Sequence, residues 1–171
     1  EPPPVPIGSM VHDAVGARLI ALGEDTTGTQ QIVTLDLTTG SWAIATDLVG
    51  APEGVEGATA VLDPSEWGLY RIGGEGVEGA SGELWHLNLQ TSQWTPITVN
   101  ESLSSAPQGA AALHGESLLW SVPILGESPH QSVHRIDLAT GAVQVLAELP
   151  LEDAGISQLR IVPSSDLVLL Y

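Results

Sequence analysis

The chain of 171 residues carries 21 acidic residues against 4 basic ones, all arginine, for a formal net charge of -17. That balance opposes binding to nucleic acid or to an anionic membrane surface. The absence of cysteine excludes a disulfide framework and thiol chemistry, and no apolar run reaches the length of about eighteen residues that a membrane span needs.

Taken in chain order, the sequence opens with EPPPVP, so residues 1–7 read as a proline-rich linker, stiff and extended. No signal peptide is visible. This opening, with a chain that lacks phenylalanine and lysine and is rich in Ala, Gly, Val and Leu, points to a bacterial, secreted protein, extracellular or periplasmic.

From residue 8 onward two phrases repeat. QQIVTLDLTTGSW (30–42), GELWHLNLQTSQW (82–94) and QSVHRIDLATGAV (131–143) are versions of one phrase, and their anchors Asp36, Asn88 and Asp137 stand 52 and 49 residues apart. ARLIALGE (17–24), WGLYRIGGE (67–75), ESLLWSVPI (116–124) and SDLVLLY (165–171) are versions of another, with leucines 19, 69, 118 and 167 at intervals of 50, 49 and 49. A fixed period of this size marks an array. Each unit reads as four short strands separated by turn residues such as Asp63-Pro64-Ser65, Thr39-Gly40 and Thr140-Gly141. The first two strands of each unit are nearly continuous in apolar residues, as expected of strands covered on both sides. Leu35, Leu37, Leu87, Leu89, Ile136 and Leu138 are expected on third strands. No segment sustains a helical period.

Four antiparallel strands per unit of about fifty residues describe a propeller blade. The expected fold is all-β: a partial β-propeller of about three and a half four-stranded antiparallel blades. The blades are 8–56, 57–108 and 109–155, with a partial blade over 156–171. Propellers close with four to eight blades. The remaining blades or another chain are therefore expected to close this one.

Residues 57–99 resemble a kelch repeat. The resemblance is carried by Leu69-Tyr70-Arg71-Ile72-Gly73-Gly74, then Trp85 on the next strand, then Trp94 opening the last. The flanking units depart from it: the first has Glu24 for the second glycine and Val33 for the aromatic, and the third has Val122-Pro123, His134 and Val143. The resemblance implies that the glycines permit a special backbone path and that the large rings fill the wedge between blades.

In such a meander the loops joining strands two to three and four to one share one face. They hold 13 of the 21 acids. Long loops on a rigid scaffold are where function concentrates. The expected binding face is therefore acidic, with Glu24, Asp25, Glu53, Glu56, Glu75, Glu78, Glu83 and Glu127. Trp67, in a turn after Asp63-Pro64-Ser65-Glu66, is added as a ring able to stack on a sugar or anchor a partner. The other tryptophans considered, Trp42, Trp85 and Trp94, are assigned to the core.

Calcium needs six to eight oxygens from a tight cluster, and no D-x-D-x-D-G spacing supplies them; no cofactor is expected, with calcium held by the loop acids as the alternative. The five histidines are read as structural, with His130 in a loop and His134 on a strand. Serine and histidine never occur in a nucleophile-elbow context, and no carboxylate pair is singled out for glycoside cleavage. The expected function is that of a non-catalytic binding or scaffolding module whose protein or carbohydrate partner meets the acidic loop face. The alternative is a fragment of a carbohydrate-active or other propeller enzyme whose catalytic residues lie in other blades.

Overall fold

Short apolar strands divided by tight turns produce three successive four-stranded antiparallel sheets. The computed structural model describes residues 2–45, 47–53, 56–63, 67–76, 79–80, 82–101, 103, 109–124, 129–150, 159–162 and 167–170. Blade one contains β1 (Ile7–Asp13), β2 (Arg18–Glu24), β3 (Gln30–Asp36) and β4 (Trp42–Ala45), paired in chain order. Blade two contains β5 (Thr59–Asp63), β6 (Gly68–Ile72), β9 (Leu84–Asn88) and β10 (Gln93–Ile97). A small hairpin, β7 (Glu75–Gly76) and β8 (Gly79–Ala80), is inserted between β6 and β9, where sequence reasoning expects a plain loop. Blade three contains β11 (Ala110–His114), β12 (Ser117–Ile124), β13 (His130–Asp137) and β14 (Val143–Pro150). A two-stranded unit of β15 (Leu159–Val162) and β16 (Leu167–Leu170) follows. No helix occurs among the described residues. First strands sit side by side, β1 by β5, β5 by β11 and β11 by β15. The chain is an all-β, partial β-propeller.

Blades hold together through two apolar interfaces. Between blades one and two lie Ile20, Leu22, Ile32, Ala58, Ala60, Leu69, Leu87 and Trp94. Between blades two and three lie Val61, Tyr70, Ile72, Leu84, Leu103, Leu118, Trp120, Val122 and Ile136. Cross-strand partners share a face, so Tyr70 opposite His86 and Ile72 opposite Leu84 put one flank of β6 and β9 toward blade three. Leu69 opposite Leu87 and Arg71 opposite Trp85 put the other flank toward blade one. Every residue of β6 is buried, as its apolar run implies. β1 instead alternates between half-buried and exposed, because Ser9 and Val11 face blade two while Met10 lies on the uncovered flank; first strands also border an open cavity. Val11, Ala60, Val61, Ala111 and Leu113 are among the walls of that space of about 600 Å³.

The repeated anchor is a turn device. Asp36 Oδ1 accepts the N–H groups of Thr38 and Thr39 at 2.7 and 2.9 Å. Asn88 Oδ1 accepts those of Gln90 and Thr91 at 2.9 and 3.0 Å. Asp137 Oδ1 accepts those of Ala139 and Thr140 at 3.1 and 2.8 Å. These are Asx-turns, and each is closed by a left-handed residue: Gly40 at φ 70°, Ser92 at 57°, Gly141 at 69°. The anchor therefore ends the third strand. Leu37, Leu89 and Leu138 fall in the turns and not on the strands expected of them, since the side chain ahead of each has taken the N–H groups that a ladder would use. Their own N–H groups bond to Ala17, Trp67 and Glu116 carbonyls at 2.9, 2.9 and 3.0 Å.

These turns also clasp the preceding blade. Val49 donates to the Ser92 carbonyl at 3.0 Å, and Asn100 donates to the Gly141 carbonyl at 2.9 Å. The opening prolines lead into the first sheet in a related way. Glu24 donates to the Pro6 carbonyl at 3.3 Å, and a Cβ on Gly23 would meet Val5 Cγ2 at 2.6 Å.

Hydrogen bonds from Thr39 and Thr38 hold the Asp36 carboxyl below its ordinary pKa. The Thr140 hydroxyl and N–H, with help from Ala139 and the Arg135 charge, do the same for Asp137. A depressed folded pKa gives stability that is present above the unfolded value of about 3.9 and lost as pH falls through the folded one. Blade two already uses Asn88 in the same turn, so the Asp36→Asn, Asp137→Asn double variant should keep the fold at neutral pH. Its melting temperature should fall less than that of the parent between pH 5 and 3. An unchanged acid loss would show that the anchors do not carry it.

Candidate functional site

The acidic loop face is built from two kinds of segment. One is the β2–β3 loop, whose form is set by Asp25. Its Oδ1 accepts from the Thr27 N–H at 2.8 Å, the Thr27 hydroxyl at 2.6 Å and the Thr29 N–H at 3.1 Å, and its Oδ2 accepts from Gln31 Nε2 at 3.1 Å. The Thr27 and Thr29 bonds hold its carboxyl below the ordinary range. Asp25 is thus committed to closing its own loop. The other segment is the passage from blade one to blade two. There Glu75 at the start of β7 donates its N–H to the Glu56 carbonyl at 2.8 Å. This makes an isolated antiparallel bridge that sets the two glutamates opposite each other.

Between these segments lies a cleft of about 700 Å³, lined by Glu24, Thr27, Gly28, Thr29, Gln30, Ala51, Pro52, Glu53, Glu56 and Glu75. Four of the sequence-predicted acids, Glu24, Glu53, Glu56 and Glu75, therefore share one site. Asp25 borders an adjoining groove of about 300 Å³ with Pro6, Ile7, Gly8, Gly23, Glu24 and Glu56. Glu83 sits apart and accepts the Trp85 indole N–H at 3.0 Å. Glu78 and Glu127 lie outside the described residues. Trp67 is 44% exposed with φ 53°, but it precedes β6 while Glu75 follows it, so the strand separates the ring from the carboxylates. It borders Asp13, Val15, Leu62 and Leu89 at the opposite end of the blades.

No arginine neutralises the cleft among the described residues. Arg18 Nε bonds Asp13 Oδ2 at 2.8 Å, and Arg135 Nε bonds Ser117 Oγ at 3.0 Å. Arg71 is 2% exposed. Its Nη2 donates to the Glu53 carbonyl at 3.0 Å, while Nε and Nη1 have no partner. Burial pushes its pKa down to about 10, against the opposing pull of Glu83, so it stays charged at neutral pH. The guanidinium anchors one backbone wall of the cleft and not its carboxylates. Compared with known proteins, the chain matches no family model and no curated sequence. The site is therefore read from its own chemistry.

Two features of this region were not singled out in the sequence: Arg71 as a buried cation, and Gln30. Gln30 is 3% exposed and neither Oε1 nor Nε2 has a hydrogen-bond partner. A glutamine stands six residues before the anchor aspartate in two units, Gln30 and Gln131, which is the signal that could have found it. The histidines do not form a site. Both His130 and His134 lie on β13, so His130 is not in a loop. His134 packs its ring 5.9 Å from Trp120. Burial pushes its pKa down, against Glu148 and Glu101. No group of three or more His, Asp or Glu side chains suited to a metal ion is found among the described residues.

Proposed function

We propose that the protein is a non-catalytic binding module and that the cleft between blades one and two is its contact surface. The observation that supports this is the gathering of Glu24, Glu53, Glu56 and Glu75 around one cavity with no ion pair to any of them among the described residues. Like charges set opposite each other on paired strands repel, as Glu56 and Glu75 are. A cationic partner would relieve that repulsion and be steered toward the site. The volume falls in the range of about 300–1,000 Å³ usual for ligand clefts. A kelch-like origin and an exported location belong to the same proposal, resting on the repeat phrase of blade two and the proline-rich opening.

The test compares Glu56→Gln with Glu75→Gln, made together, against Asp63→Asn with Glu116→Gln, made together on the opposite loops. Binding of polylysine is measured across a salt series. The first pair should weaken binding at low salt and flatten its salt dependence, because exposed charges are screened beyond about 10 Å at 0.1 M. It should also raise the melting temperature slightly, since the repulsion goes with the charges. Equal effects from both pairs, or none from the first, would leave the acids with a role in solubility alone.

A further inference from the structure

The repeat supplies an internal comparison for the cleft. In blade two the position matching Gln30, six residues before the anchor, is Gly82. A Cβ there would meet the Leu103 carbonyl at 2.5 Å and Leu103 Cβ at 2.8 Å, and Leu103 is part of the core between blades two and three. That space is plugged by the chain's own leucine. At the interface of blades one and two no such plug occurs among the described residues, where Ala51 and Pro52 border a cavity. Gln30 pairs with Glu24 across β2 and β3. Both side chains therefore leave the sheet on the flank that carries Leu22 and Ile32 toward blade two. Both line the cleft. A carboxamide buried with neither its donor nor its acceptor satisfied costs the full desolvation of that group, and a ligand offering both partners removes the cost.

We infer that the cleft receives an extended basic peptide, with lysine or arginine side chains against Glu24, Glu53, Glu56 and Glu75 and the N–H and C=O of one main-chain residue paired to the Gln30 carboxamide. The inference rests on the reading of the acidic cleft as the contact surface. A residue in an extended chain presents its own N–H and C=O toward the same side, the complement of the unpartnered Oε1 and Nε2. A polyamine offers donors only and leaves Nε2 unmet. A neutral sugar can pair with the carboxamide but brings no charge for four carboxylates. A divalent ion lacks the converging side chains it needs, because no group of three is formed among the described residues.

The experiment uses the full chain with two cationic probes: a C-terminally amidated hexapeptide of alternating arginine and glycine carrying an uncharged dye, and spermine in competition. Gln30→Met keeps side-chain bulk and removes the amide. It should weaken the peptide about tenfold, the worth of a paired buried amide, and leave spermine within about twofold. Thermal melts should show the variant at least as stable as the parent. Glu56→Gln with Glu75→Gln should weaken both probes. If Gln30→Met changes neither probe, or both alike, the peptide inference is overturned while the acidic contact surface stands. If the glutamate pair affects neither probe, the contact surface itself falls. Tight binding of a neutral oligosaccharide that is lost in Gln30→Met and insensitive to the glutamate pair would overturn the peptide in favour of a sugar.

Discussion

Trp120→Ala is expected to lower stability by about 3–5 kcal/mol, the cost of truncating a large buried ring. Trp120 is 1% exposed and the largest of the fully buried side chains. It sits on β12 in the core between blades two and three, among Tyr70, Ile72, Leu118 and Val122. The ring also backs onto its own first strand's entry, where a Cβ on Gly109 would meet the indole Nε1 at 2.6 Å. The core cluster and the entry at Gly109 both lose packing when the indole goes, and a close-packed interface collapses only partly around the gap. Domains hold only about 5–15 kcal/mol in all, so the variant should unfold at much lower urea. A midpoint shift worth less than about 1 kcal/mol would mean that the blades do not depend on this contact.

Gly141→Ala is the second large effect, expected at about 3 kcal/mol and read against Gly40→Ala. Both glycines close the same Asx-turn, at φ 69° and 70°. Left-handed backbone costs an alanine roughly 1–2 kcal/mol at either site. Their surroundings differ. A Cβ on Gly40 meets nothing within 4 Å, while one on Gly141 would lie 2.0 Å from the Thr98 carbonyl oxygen. The added clash forces the turn of blade three away from blade two and strains the Asn100 bond to the Gly141 carbonyl. Denaturant titration of the two variants should separate them by more than 1 kcal/mol. Equal losses would reduce the clasp between blades to an incidental contact.

Much of the scaffold was legible because repetition is a covalent property. Asp36, Asn88 and Asp137 recur at a fixed interval, and each makes the same two-bond turn in the structure. Strand count alone decides which end of a blade a loop occupies, and Glu24, Glu53, Glu56 and Glu75 come together at one cleft. What the sequence hid depends on packing between units. Gly82 and Leu103 stand twenty-one residues apart, and nothing in either announces that one fills the space beside the other. Arg71 reads as part of an ordinary strand phrase, and only the stacking of blade one against blade two makes it a buried cation. Trp120 occupies the position of Arg71 and Ala21 in the repeat, so alignment of the units by residue type passes over it. The roles of Asp25 and Glu83 were hidden by local bonding: both count as acids in composition, yet their oxygens are engaged by Thr27, Thr29 and Trp85.

The leucine packed at Gly82 makes the closing of a seam a local matter. Gly82 and Leu103 meet at one seam, while Gln30 and Ala51 stand at the matching positions of the other. A lineage of such chains could open or close a seam locally, with the turns and inner strands untouched, while the carboxylates that line it come from other loops. Duplication of units would then multiply addresses as well as bulk, each seam open or shut independently of the others.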